Sequence, residues 1–240
     1  MNSKLLKDSG LINYISGSDY HMRAMSIGEK VADEVKEILK TMGEDPTEIY
    51  SGQQVHGTNI EYCDGKSGRE FFYGRHFLET DGLITDKKDI ALVIKFADCS
   101  PIILFDPVKK VQCAIHSGWR GTAKKFSKIA LNRMVNDFGS KIEDILAYIG
   151  PSIDIDSYEV GKEVYQAFED FPTRDKFFKE HGDKYLLSMV DANLEVLLEA
   201  GLKKDQIEVC RESTFKNKNL NSARRDGEGY KLNAIFTIMK

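Results

Sequence analysis

The chain has 240 residues, of which 41% are hydrophobic and 30% charged, with a formal net charge of −4. That length suits one large domain that buries its core without disulfides or a structural metal. The acidic balance and scattered basic residues exclude a nucleic-acid surface, and no apolar window approaches the ~18 residues of a membrane span.

Residues 1–20 contain no apolar stretch long enough for a secretory leader, so a cytoplasmic protein is expected. The four cysteines, Cys63, Cys99, Cys113 and Cys210, are too sparse for a disulfide scaffold and are expected as thiols. Cys113 lies inside an apolar run, as a small buried hydrophobe would. With five prolines, no low-complexity linker and no repeat, residues 1–240 read as one domain.

Val31, Val35, Ile38 and Leu39 recur at helical spacing over 28–42, and Gly43 follows as a stop. Residues 48–55 read as a strand running into a turn at His56. Asp81-Gly82 is a tight turn ahead of a short apolar piece. Residues 90–96 form a strand, broken at 97–100. A second strand, 101–105, ends at Asp106-Pro107, and a third, 111–116, ends at Ser117-Gly118. Thr122 is the expected N-cap of a helix whose apolar face is Ala123, Phe126, Ile129, Ala130, Met134 and Phe138. Residues 145–149 read as a strand, 157–168 and 191–200 as helices, and 207–210 and 232–239 as strands. The alternation predicts an α/β architecture with chemistry at strand ends.

Three side chains stand at such ends: His56 in Gln-Val-His-Gly, Cys99 in Ala-Asp-Cys-Ser-Pro, and His116 in His-Ser-Gly-Trp-Arg-Gly. Each alone is also compatible with an ordinary packed or hydrogen-bonded residue. Together, two imidazoles and a thiolate hold zinc with one coordination position open, the layout of a catalytic site. Such a zinc lowers the pKa of bound water to roughly 7, which suits hydrolytic deamination of an aromatic amine. Cys99 with His116 as its base is the alternative, a nucleophile pair. Arg120, in the glycine-rich turn after His116, can bind phosphate oxygens, and Arg224-Arg225 forms a second basic turn. Trp119 is either a core residue or a wall for a flat base. Asp81 and Asp98 are placed to orient histidine ligands, or to cap turns. His21, His76 and His181 lie in polar surroundings and read as plain surface residues.

In order, the chain carries Gln54-Val55-His56-Gly57, Thr80-Asp81-Gly82-Leu83-Ile84-Thr85 and Ala97-Asp98-Cys99-Ser100-Pro101-Ile102. There follow His116-Ser117-Gly118-Trp119-Arg120-Gly121, Ile149-Gly150-Pro151-Ser152-Ile153 with Tyr158-Glu159-Val160-Gly161, and Arg224-Arg225-Asp226-Gly227. Over about residues 45 to 240 this resembles the bacterial family once called polyphenol oxidases or laccase-domain proteins. Its members are now regarded as purine nucleoside phosphorylases with adenosine deaminase activity. The resemblance implies a single domain of layered mixed β-sheets flanked by helices, a fold also found in a deamidase toxin. It implies that His56, Cys99 and His116 match the family's zinc ligands. It implies phosphorolysis of adenosine, inosine and 5′-methylthioadenosine, and deamination of adenosine. Some members are thought to act instead as a cytoplasmic amidase on peptidoglycan precursors.

The chain departs from the family pattern at four places. Residues 14–19 have no Arg and a single Gly where the family has Thr-Arg-x-Gly-Gly, and Met25-Ser26-Ile27 replaces Leu-Asn-Leu. Ala223 replaces a Tyr, and Glu228-Gly229-Tyr230 replaces Thr-Gly-Arg. The expectation is a zinc enzyme, with copper as an adventitious alternative, whose partners are purine nucleosides and phosphate. Arg120, Arg224 and Arg225 are its expected anion contacts. The five histidines are too few for a multicopper oxidase.

Overall fold

The computed structural model describes residues 1–240. Fifteen strands run in chain order. They are β1 (Leu11–Ser16), β2 (Glu48–Gly52), β3 (Ile60–Tyr62), β4 (Arg69–Phe71) and β5 (Gly74–Phe77). Next come β6 (Gly82–Thr85), β7 (Ile90–Phe96), β8 (Ser100–Asp106), β9 (Val111–Ser117) and β10 (Leu146–Ile149). The last are β11 (Glu159–Val160), β12 (Phe178–His181), β13 (Lys184–Leu187), β14 (Ile207–Val209) and β15 (Asn233–Met239). Two six-stranded sheets have the orders β1-β15-β7-β2-β5-β4 and β14-β10-β8-β9-β6-β3, and a small third sheet is β11-β13-β12. Parallel pairs such as β2–β7 sit beside antiparallel ones such as β7–β15, so the large sheets are mixed, as expected.

Side-chain alternation explains the layering. Leu92, Ile94 and Phe96 of β7 meet Ile103 and Phe105 of β8 and Ala114 of β9 in one buried cluster between the sheets. Ala91 and Val93 point the other way, onto Val35 and Ile38 of the helix Val31–Met42. On the far side, Ile102, Leu104, Cys113 and Ile115 pack on Phe126, Ala130 and Met134 of the helix Phe126–Phe138. The order is therefore helix, sheet, sheet, helix. Each fully buried Leu, Ile or Phe contributes roughly 1.5–3 kcal/mol relative to exposure. A satellite cluster rich in phenylalanine, including Phe168, Phe177 and Phe178, supports the small sheet.

Several local expectations are corrected. Thr122 does not open the helix: a five-residue helix, Trp119–Ala123, starts after Gly118, and the chain breaks at Lys125 (φ 56°) before Phe126–Phe138. Its hydroxyl instead bonds the Gly118 carbonyl at 3.1 Å. Ile129 is exposed, and Leu131 takes its place in the core. The helix expected over 157–168 is only Lys162–Gln166, because Glu159 and Val160 pair with Leu186 and Tyr185 of β13. The strand after Glu48 stops at Gly52, so residues 53–55 belong to the His56 loop.

Candidate metal centre and adjoining cavity

Three connections converge where the two large sheets meet. His56 follows β2, Cys99 lies in the link between β7 and β8 that passes from one sheet to the other, and His116 is near the end of β9. Their ligand atoms, two imidazole nitrogens and a sulfur, all lie within 4.8 Å of one another. The His56 and His116 rings are 5.0 Å apart and steeply inclined, so both can face a common point. His56 is exposed, Cys99 partly buried and His116 buried. A ligand centre that is open on one side results.

Two of these connections need left-handed backbone at non-glycine residues: His56 at φ 61° and Asp98, beside Cys99, at φ 84°. Such conformations cost of order 1–3 kcal/mol each and persist only where the surroundings fix them. Asp81 supplies that restraint for His56. Its buried carboxylate accepts from the backbone N–H groups of Val55, His56 and Gly57, at 3.0, 3.0 and 2.7 Å. The same carboxylate meets His116 Nδ1 at 2.9 Å, which leaves Nε2 turned toward Cys99. Asp81 thus ties two ligands together, as a metal centre's supporting carboxylate does. Asp98 does not touch a histidine. It accepts from Thr214 Oγ1 (2.6 Å) and the Arg224 backbone N–H (2.7 Å), and so anchors the Cys99 link.

Gly118 is also fixed by the centre. A Cβ there would stand 2.9 Å from His56 Cδ2 and 3.0 Å from Cys99 Sγ. No side chain fits without parting the two ligands.

The electrostatics separate Cys99 from the other thiols. Burial alone pushes Cys113 up to about 12, an inert thiol. Burial also acts on Cys99, but His116 and His56 outweigh it and bring that thiol down to about 6. Burial pushes His116 down, yet Cys99 and Asp81 raise it to about 9. Burial pushes Asp81 up, and His116 with the loop N–H groups more than reverses this, so it stays ionised. Near neutral pH this pairs a Cys99 thiolate with a His116 imidazolium, and loss of that one proton gives the thiolate and two imidazoles of a zinc or copper site.

The trio forms part of the wall of a cavity of about 620 Å³, within the range of ligand pockets. The other walls come from residues to which the sequence assigned no site role. His76 was expected at the surface, but it is half-buried in the lining, stacked on Phe71 at 4.5 Å and 17°. Its Nδ1 meets Ser51 Oγ at 3.0 Å. Burial, and then Lys95, hold it down at about 4, so it is neutral. Lys95 was missed although a signal existed: it is the single charge within the strand Ile90–Phe96. Gln54 borders it, pairing its own amide with the Lys95 backbone at 2.6 and 2.9 Å and pinning the His56 loop to β7.

The expected arginines lie elsewhere. Arg225 is a correction: its guanidinium donates to the carbonyls of Thr214, Phe215, Asn217 and Leu220 and to Asp226, which occupies every N–H. It staples a loop and has no donor left for an anion. Arg120 is exposed and lies over its neighbour Trp119 at 4.4 Å, while Trp119 packs on the phenylalanine-rich cluster. Arg224 donates to the Glu159 carbonyl at 3.1 Å and lies over Tyr158. Neither lines the cavity. His21 accepts from the Arg23 backbone N–H at 3.5 Å, and His181 pairs with Glu159 on the surface. Cys63 is fully buried, and burial, then the nearby Cys113, pushes its thiol up.

Residues 19–237 match the family model described as multi-copper polyphenol oxidoreductase laccase. The chain belongs to this family. Among its laccase-family relatives is a Bacteroides thetaiotaomicron protein named purine nucleoside phosphorylase. The two are 35% identical over 211 residues, which is 83% of this chain and 76% of the relative. Another, from an unknown prokaryotic organism, is named adenosine deaminase RL5. It is 30% identical over 142 residues, covering 58% of this chain and 54% of its own. A solved structure of the Bacillus licheniformis hypothetical protein YfiH superimposes with a TM-score of 0.82 at 29% identity. That match spans 88% of this chain and 82% of the other. Relatives with enzyme names, a shared fold and the converging trio make this laccase-family chain an enzyme. No helix is long and apolar enough to cross a membrane.

Proposed function

We propose that the protein is a zinc-dependent purine nucleoside phosphorylase that also deaminates adenosine, acting in the cytoplasm. Adenosine, inosine and 5′-methylthioadenosine are its nucleosides, and His56, Cys99 and His116 hold the metal. One observation carries the reading: a two-imidazole, one-thiolate centre opens onto a cavity with a flat ring platform, Phe71 against His76. Relatives named for both activities support it.

When bound, zinc would supply a Lewis-acid centre and acidify water to a pKa of roughly 7. The chain's own groups do the rest. Asp81 keeps the proton of His116 on Nδ1 and turns Nε2 to the centre. The Phe71–His76 pair offers a face on which a purine stacks. In phosphorolysis a phosphate oxygen bonds to the anomeric carbon as the bond to the base breaks. Arg225 has no donor for that phosphate, and Arg120 and Arg224 stand outside the cavity lining.

The test is to incubate the pure protein with adenosine, with and without phosphate. Adenine and ribose 1-phosphate are expected only with phosphate, and inosine formation is expected to stop on chelation. Adenine release that ignores phosphate would sink the phosphorylase reading. The lowered thiol of Cys99 beside His116 favours one second reading, an amidase with Cys99 as nucleophile and His116 as base. Under it, chelation raises activity and a substrate-derived adduct can be trapped on Cys99.

A further inference from the structure

The cavity contains a positive charge, Lys95, that forms no ion pair. On β7 the residues facing the outer helix are Ala91 and Val93, and the next on that face is Lys95. The alternation calls for an apolar side chain there, and burying an ammonium is costly without a partner. The only hydrogen-bond partner of Nζ is the Gly52 carbonyl at 3.0 Å, a neutral group. Two of its three N–H directions are therefore unused. The one carboxylate whose charge acts on it is Asp81, and that group is already filled by His116 and three backbone N–H groups.

The rest of the lining adds positive charge. Arg23 and Arg69 border the cavity with Lys95, against one carboxylate, Glu70, and the Cys99 thiolate, which is itself paired with His116. This excess lies in a chain whose net charge is −4. Arg23 is steadied by the Tyr230 carbonyl at 3.2 Å and by that residue's ring. His76 stands beside Lys95 with Nδ1 bonded to Ser51, so its Nε2 is left for a ligand.

We infer that Lys95, with His76 beside it, forms an anion subsite in this cavity, and that the anion is inorganic phosphate. The subsite rests on the unpaired ammonium. Its assignment to phosphate rests on the phosphorylase reading above. A phosphate there shares one cavity with a nucleoside stacked near Phe71, as attack on the anomeric carbon requires.

The experiment compares wild type with Lys95→Gln, Lys95→Met and Lys95→Arg at equal metal content. Titration calorimetry with inorganic phosphate gives Kd, and adenosine cleavage gives KM for phosphate and for adenosine separately. Adenosine 5′-phosphate as a competitor tells free phosphate from an esterified one. Loss of a charged hydrogen bond predicts phosphate Kd and KM about tenfold higher or more in the Gln and Met variants. Adenosine KM should stay within about twofold, and Arg should retain most of the phosphate affinity. Tighter binding of the esterified anion than of free phosphate would overturn the phosphate assignment. Unchanged phosphate Kd in folded Gln and Met variants, or no phosphate binding by wild type, would overturn the subsite. Phosphate binding through Lys95 without base release from any nucleoside keeps the subsite and removes the phosphorylase reading. Phosphate-dependent release that is indifferent to Lys95 does the reverse.

Discussion

Cys99 has two neighbourhoods, and they are built for different work. On one flank stands Tyr158, whose phenol feels the charges of Cys99, Arg224 and Arg120. There, the guanidinium groups of Arg120 and Arg224 lie over aromatic rings, and Arg225, further along, is spent on carbonyls. On the other flank lies the cavity, where Lys95 keeps free donors and His76 a free nitrogen. The arginine-rich motifs are the conspicuous ones in the sequence, yet Arg225 is committed to holding a loop, and Arg120 and Arg224 do not line the cavity. A cation whose N–H groups are all bonded within the fold, as at Arg225, has none left for a ligand. One that is half-buried and unpaired has its binding capacity in reserve.

Substitutions separate the flanks, and the largest effect is expected at the residue that joins them to the metal centre. Asp81→Asn weakens the Asp81–His116 bond and the hold on the His56 loop. Metal affinity should fall about 10–100-fold, measured by competition with a chelating dye. Unchanged affinity would mean that the loop is held by other means. Next is Arg225→Ala, which strands several carbonyls and should cost about 2–3 kcal/mol in urea unfolding. Phosphate KM should not move, and an increase would return Arg225 to the substrate side.

A smaller effect carries a defined pH dependence. Burial lowers Lys95 from 10.5 to about 8, so folding disfavours its charge. The cost is fully present below pH 8. Between pH 8 and 10.5 the folded chain has released the proton and the unfolded chain has not, so stability rises with pH. In phosphate-free buffer Lys95→Met should therefore have the higher Tm at pH 7, with the gain shrinking through that window. A lower Tm at pH 7 would mean that the ammonium is already neutralised. The smallest effect is expected for Arg120→Ala, with kcat and phosphate KM within about twofold of wild type, as for an ordinary exposed side chain. A larger change would move the chemistry to the arginine flank.

The central strands were legible because β7, β8 and β9 are apolar on both faces and bounded by turn residues. The helix Val31–Met42 was legible from its spacing and its glycine stop. The strand Leu11–Ser16 was not, because Asn13 and Ser16 interrupt its pattern, although both are buried and hydrogen-bonded. Tertiary pairing overrode helical periodicity at Glu159–Val160. The metal trio was visible as three turn-flanked residues, but its convergence depends on which strands pair. The cavity was hidden because its walls come from separate stretches, among them Met22–Met25, Phe71–His76 and Tyr230. His76 looked like a surface residue beside charged Arg75, but the two alternate to opposite faces of a short strand.

The central claim is that His56, Cys99 and His116 together hold one metal ion. Metal analysis of wild type beside His56→Ala, Cys99→Ala and His116→Ala, each checked for folding, tests it most directly. The account predicts about one zinc per chain in wild type and loss of that zinc in all three variants. Full metal retained by any folded variant, or a metal-free wild type that keeps its activity after exhaustive chelation, would contradict it.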